Sequence, residues 1–341
     1  MKLIPTRDAV GHILCHDMTQ IIPNVSKDAR FKKGHIVTPE DIPILLEMGK
    51  ESLYVWEQSP GIIHENDAAF RLCQLCINDY MHPTQVKEGK IELIADISGL
   101  LRVSVERLKA MNMIQDIIIA TRHTNIAVKR GERLAGMRVI PLAINESRIK
   151  EAENAAGHTP LLELLPFKLK TAGIITTGSE IFNGLIKDQF TPVVKNKLHL
   201  FDISVTEHLI TDDKTENILY AIKQMQKREV DIILCTGGMS VDPDDRTPGA
   251  IRRSGADMVF YGAPVLPGAM FALGYFKNGV PIAGLPGCVM YAGATIFDLL
   301  LPRLAAGVRI NRSDVVNMGH GGLCVGCNEC HWPNCPFGKG A

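Results

Sequence analysis

Apolar and polar positions change rhythm near residue 170. Upstream the pattern is short and mixed. Thr38-Pro39-Glu40-Asp41 predicts a helix start, with Thr38 as cap and Pro39 first in the helix, running to Met48 and stopped by Gly49. Leu53–Trp56 then reads as a strand. Asn66–Met81 carries apolar side chains at Ala69, Leu72, Cys73, Cys76, Ile77 and Tyr80, the stripe of a helix with one buried face. From Gly89 to Ile144 a small, mostly β unit is expected, with strands at Ile91–Ile97, Ile117–Ala120 and Met137–Leu142 and one helix at Ser104–Met111.

Downstream, strand-like and helix-like segments alternate. Ala172–Thr176, Asp202–Ile210, Val230–Cys235 and Val280–Ala283 read as strands. Gln189–Leu200, Asp213–Arg228 and a segment from Cys288 to about Arg303 read as helices, with Asp213 and Glu216 as a capping box. This is the rhythm of a three-layer α/β domain with a mostly parallel sheet. The polar stretch before Pro160 and Pro166 marks a boundary. The expected organisation is an N-terminal α+β region over 1–165, divisible near 60–88, an α/β domain over 166–310, and a Cys-rich metal-binding tail over 311–341.

Lysine plus arginine equals aspartate plus glutamate, 37 against 37, so no bulk charge draws the chain to nucleic acid or membrane. Lys129, Arg130 and Arg133 form a local basic cluster that reads first as a solvated turn and second as a phosphate contact. Met1–Asp17 has no sustained apolar core, and the apolar runs are too short or too broken by charge to span a bilayer. Nine cysteines without a secretion signal point to reduced thiols or metal ligands and a cytoplasmic setting. Cys73 and Cys76 lie on the apolar stripe and read as packing residues, with a ligand pair as the alternative.

Three glycine turns stand directly after strands: Thr176-Thr177-Gly178-Ser179-Glu180, Thr236-Gly237-Gly238-Met239-Ser240, and Gly284-Leu285-Pro286-Gly287. Each offers backbone N–H groups at a strand end, the arrangement that holds phosphate or another oxyanion. Glu180, Asp188, Asp242, Asp244 and Asp245 are close by in sequence. Carboxylates beside a phosphate repel it unless a divalent cation intervenes, and magnesium bridges the two while keeping several waters. Asp242 reads as a solvated loop charge, whereas Asp245 stands just before the Thr247-Pro248 helix start.

With Leu266-Pro267-Gly268 between the second and third, these turns resemble the molybdopterin-binding domain shared by molybdopterin molybdotransferases (MoeA and gephyrin E type) and adenylyltransferases (MogA and gephyrin G type). The resemblance covers 171 to about 307, and a weaker likeness joins Lys33-Gly34 to Leu53-Tyr54-Val55. It implies that Thr177, Gly178, Ser179, Gly237, Gly238, Ser240, Pro286, Gly287 and Cys288 hold the pterin. It also implies that Glu180, Asp188 and Asp245 organise a magnesium ion for catalysis. The chain departs from the family at Pro267-Gly268-Ala269-Met270, where a lysine is expected in place of Ala269, and at Gly287-Cys288-Val289 in place of Gly-Asn-Pro. The Met-Asp-Gly-Tyr-Ala motif of full molybdotransferases is missing from the front. A helix N-terminus at Cys288 would lower its pKa toward thiolate, and a plain buried cysteine is the equal alternative.

Cys324, Cys327, Cys330 and Cys335 follow a C-x2-C-x2-C-x4-C spacing among glycines. Four thiolates suit either tetrahedral zinc or an iron–sulfur cluster, with His320 and His331 as candidate substitutes. The function expected is molybdopterin binding in molybdenum cofactor assembly. One form inserts molybdate into adenylylated molybdopterin. The other is a non-catalytic carrier or sensor that docks a molybdoenzyme client through the tail. The resemblance also implies a homo-oligomer.

Overall fold

The structure is a computed structural model that describes residues 2–22, 26–55, 60–240, 242 and 245–340. Met1, Trp56 and Asp244, named above, lie outside the described residues. The chain divides into two compact units, one of residues 1–97, 101–124 and 129–164, the other of 98–100, 125–128 and 165–341.

The first unit is α+β. Lys2–Pro5 pairs antiparallel with Ser52–Val55, and Met18–Ile22 with Ser26–Phe31. A small core of Ile4, Leu14, Leu45, Leu53 and Val55 holds this part together. The predicted Thr38-capped helix instead runs Asp41–Glu47, because the Asp41 carboxylate accepts the Thr38 N–H at 2.8 Å and organises the turn from inside. The striped helix covers Glu65–Cys76, shorter than predicted. It stops because the chain must already be extended at Met81–Pro83, where a proline follows His82. Cys73 and Cys76 are fully buried on its inner face, and burial pushes their thiols up to about 11 and about 12. Met81–Pro83, Ile91–Ala95, Arg133–Val139 and Ile117–Thr121 form an antiparallel sheet in that order.

The second unit holds a six-stranded sheet. Its elements are β1 (Thr171–Thr177), α1 (Ser179–Phe182), α2 (Phe190–His199), β2 (Ser204–Thr211), α3 (Thr215–Lys227) and β3 (Ile232–Thr236). There follow α4 (Thr247–Arg253), β4 (Asp257–Tyr261), β5 (Ala272–Tyr275), β6 (Pro281–Leu285), α5 (Ile296–Ala305) and α6 (Arg312–Val316). The strand order is β2-β1-β3-β6-β5-β4. The first four run parallel, and β5 pairs antiparallel with both β6 and β4.

Successive strand residues point to opposite faces, so a strand buried on both sides must be apolar throughout. Ile174, Ile232, Leu234, Ala283 and Leu285 join Val194 and Leu198 of α2 and Phe297, Leu300 and Leu301 of α5 in one core. Ile175, Ile233, Cys235 and Ile282 join Ile218, Ile222 and Met225 of α3 and Ala250 and Ile251 of α4 in the other. These are the three layers that the alternation predicts. The predicted helix from Cys288 does not form as one piece. Gly287–Met290 makes a 3-10 turn, and α5 starts at Ile296 behind a Thr295–Asp298 capping box. Thr295 with Asp298 three residues later is the stronger start signal, and it resets the helix there.

Candidate functional site

Register sets the site. Thr176 of β1 stands opposite Thr236 of β3, and Thr236 stands opposite Leu285 of β6. Three adjacent parallel strands therefore end in one row, and their glycine turns leave the sheet side by side. Open α/β sheets bind ligands at this carboxyl edge.

A cavity of about 480 Å³ opens there, within the size range of small-molecule sites. Gly237, Gly238, Met239, Ser240 and Asp245 line it from the second turn, and Pro286, Gly287 and Cys288 from the third. Ala269 and Met270, with Met290 and Tyr291, complete the wall. Gly287 has nothing within 4 Å of where a Cβ would stand, so bare backbone faces the space. Asp245 is the one charged side chain among the described lining residues. The Tyr261 hydroxyl donates to the carbonyls of Met239 and Ser240 at 3.0 and 3.3 Å, which steadies the second turn. Burial raises the Tyr261 phenol, and the Asp245 charge raises it further.

The first turn does not line the cavity; it supports the second. Gly237 adopts φ 84°, and a Cβ there would stand 2.2 Å from the Thr177 carbonyl oxygen. Thr177 is buried, and its hydroxyl lies 3.2 Å from both the Thr236 carbonyl and the Thr247 hydroxyl. Thr247 is thus spent inside the site, within the first turn of α4, and does not cap that helix. The Ser179 N–H donates to Asp213 at 2.7 Å. Asp213 therefore makes no capping box: α3 begins at Thr215 without a side-chain cap. Glu180 is exposed, as is Asp242.

Asp188 is saturated with hydrogen bonds. It accepts from the Phe190 N–H at 2.8 Å, the Thr191 N–H at 3.0 Å, the Thr176 hydroxyl at 3.0 Å and the Thr191 hydroxyl at 2.5 Å. Burial alone would raise its carboxyl, but the Thr191 hydroxyl and N–H, then Thr176 and Phe190, outweigh burial and hold it below the ordinary range. His208 Nε2 lies 3.0 Å from the Thr176 hydroxyl and 3.2 Å from that of Thr191. Sequence reasoning missed His208 and Thr191, as well as Met239, Met290 and Tyr291. A histidine in an edge strand and three apolar side chains in loops carry no spacing that marks them.

Of the two readings of Cys288, the structure agrees with the buried cysteine and not with the activated thiolate. Burial dominates and pushes its thiol up, the charge of Asp298 adds to this, and a hydrogen bond with its own backbone offsets only part. No α-helix starts there to supply a dipole.

The tail cysteines do not share one environment. Cys324 and Cys335 are half-buried against the α2–α5 core, Cys330 is exposed beside Gly293, and Cys327 is exposed. Among the described residues, no group of three or more His, Cys, Asp or Glu side chains is placed to hold one metal ion. No helix among them is long and apolar enough to cross a membrane.

The probable molybdopterin binding domain family matches residues 173–306, and a domain of unknown function matches residues 3–57. Over 86 residues the chain is 35% identical to a CinA-like protein of Pseudothermotoga lettingae, covering 25% of this chain and 21% of that protein. Over 181 residues it is 25% identical to a molybdopterin molybdenumtransferase of Synechococcus elongatus, covering 50% and 42%. The chain therefore spans less than half the length of either relative. Among solved structures, the molybdopterin biosynthesis enzyme MoaB of Thermus thermophilus aligns at 23% identity, covering 40% of this chain and 92% of that one, with a TM-score of 0.34.

Proposed function

We propose that this chain, whose residues 173–306 match the probable molybdopterin binding domain family, binds a molybdopterin species in the cavity at the ends of β3 and β6, as a step in molybdenum cofactor assembly. The observation that carries this reading is the single row of strand ends whose second and third turns line one cavity. Met270, Met290, Tyr291 and Pro286 offer apolar walls for a flat fused ring. The bare backbone of Gly237, Gly238 and Gly287, with the Ser240 hydroxyl, faces the anionic end.

Asp245 repels a phosphate unless a cation lies between them. The residues fit magnesium in one way only: Asp245 as a single protein ligand, with water and the ligand's phosphate completing the shell. In this reading the ion neutralises charge, and Asp188 positions β1 and α2 through Thr176 and Thr191 without touching the ligand. Ala269 occupies the wall where the family resemblance calls for lysine, and no lysine or arginine is among the described lining residues. That favours holding the pterin over turning it over, so a carrier is the reading the cavity supports best. Molybdate insertion into adenylylated molybdopterin is the second reading, favoured by the presence of Asp245 in the wall.

Purified chain is to be mixed with molybdopterin or its adenylylated form, with magnesium and molybdate present or absent. The expected result is tight, magnesium-dependent binding with no adenylate release. Release that vanishes in Asp245→Ala would assign insertion instead. Failure to bind either pterin would sink both readings.

A further inference from the structure

The cysteine tail is docked onto the two loops that carry the outer wall of the cavity. Leu323 pairs with Leu266 in a parallel bridge. The Leu266 N–H donates to the Gly322 carbonyl, and the Cys324 N–H to the Leu266 carbonyl, both at 2.8 Å. Leu266 leads into Ala269 and Met270. Cys330 lies so close to Gly293 that a Cβ there would stand 2.7 Å from its Sγ, and Gly293 follows closely on Tyr291. At the far end Phe337 is 3% exposed within the α2–α5 core, and the Gly338 N–H donates to the Gly321 carbonyl at 3.0 Å. The segment is thus a loop tied at its base, with Cys324, Trp332 and Cys335 packed on the same core.

The four thiols of this loop differ in kind from Cys15, Cys73, Cys76 and Cys235, which are buried packing residues. Two of the four are exposed, no disulfide joins any of them, and Gly326 at φ 68° gives the backbone between the first two a left-handed bend. Packing does not explain the exposed thiols of Cys327 and Cys330, nor their repeat at i+3 and i+6 from Cys324. Ligation does, since thiolates at such spacing wrap one centre.

We propose that Cys324, Cys327, Cys330 and Cys335 close on a single tetrathiolate metal centre, a zinc ion or an iron–sulfur cluster, which clamps the tail across the Leu266–Met270 and Tyr291–Gly293 loops. Among the described residues the four thiols are not gathered at one point. Each gives up its proton on ligation, and the metal supplies the attraction that folds the exposed stretch over the two pinned cysteines. The site stands independently of the pterin reading, since it is read from metal content.

The full chain is to be purified anaerobically, and separately in air with zinc, and analysed for metal and acid-labile sulfide. One zinc per chain, or about four irons with matching sulfide and a brown colour, is expected. Cys327→Ser and Cys330→Ser change exposed side chains and leave the fold intact by circular dichroism. Each is expected to lose most of the metal. In the parent chain a chelator, or oxidation for a cluster, lowers the Tm and opens the tail to protease; in the two variants neither treatment adds anything. Metal-free protein from both preparations overturns the proposal, as does metal content unchanged by both substitutions.

Discussion

The first glycine turn and its two neighbours leave the same edge of one sheet, yet they do opposite things. At the first, the protein uses up its own polar groups. Asp213 takes the Ser179 N–H, Asp188 takes four donors, and the Thr177 hydroxyl is shared between Thr236 and Thr247. At the second and third, Gly287 faces open space and only Asp245 brings charge to the described wall. A strand-end glycine turn is therefore a brace or a binding wall according to what folds over it. Here the brace comes first in the chain and the wall is built upon it.

Substitutions should separate the two roles. The largest effect is expected from Gly237→Ala, where the wall rests on the brace. A left-handed backbone and a Cβ 2.2 Å from a carbonyl oxygen should cost about 2–4 kcal/mol in denaturant unfolding and abolish pterin binding. Next is Asp188→Ala, which removes the acceptor of two N–H groups at the start of α2 and one partner of each of two hydroxyls. A loss of about 1–3 kcal/mol is expected. If Asp188→Ala leaves stability untouched but ends magnesium-dependent binding, the brace assignment is wrong and Asp188 belongs with Asp245. Gly287→Ala should shift stability by less than about 0.5 kcal/mol while weakening pterin binding, since its methyl enters open space on the ligand side.

The smallest effect concerns pH. Burial holds His208 below the ordinary imidazole value of 6.5 despite the opposing charge of Asp188, and burial also lowers His16 and His64. A folded chain that resists protons the unfolded chain accepts is most stable above about pH 6.5 and loses stability as pH falls through that value. The depressed Asp188 carboxyl adds a second loss at lower pH, at and below its ordinary value of 3.8. Melting temperature against pH should fall in these two windows, and His208→Gln should flatten the upper one. An unchanged upper window would remove His208 from the brace.

Much of this was legible in the chain. Continuous apolar runs at Ile174-Ile175 and Ile232–Cys235 require strands covered on both faces, because adjacent side chains point opposite ways. Gly237 and Gly238 following such a run announce a turn that only glycine makes cheaply, and both adopt positive φ. Local signals erred where two starts competed. Cys288 was expected to open a helix, and the Thr295–Asp298 box opened it instead. Asp213 looked like a cap for α3 and went to Ser179, a partner 34 residues away.

Within the chain's local pattern, side-chain period and backbone freedom over a few residues dictate the layers, the parallel rhythm of the strands and the three turns. Packing across the fold selects which turn supports and which opens, brings Met239, Met290 and Tyr291 into the wall, and raises the thiol of Cys288 where a helix start would lower it. Those outcomes depend on strand register and on burial. Register brings Thr176, Thr236 and Leu285 into one row across more than a hundred residues of chain, and burial is a property of everything packed around a group, which no local pattern contains.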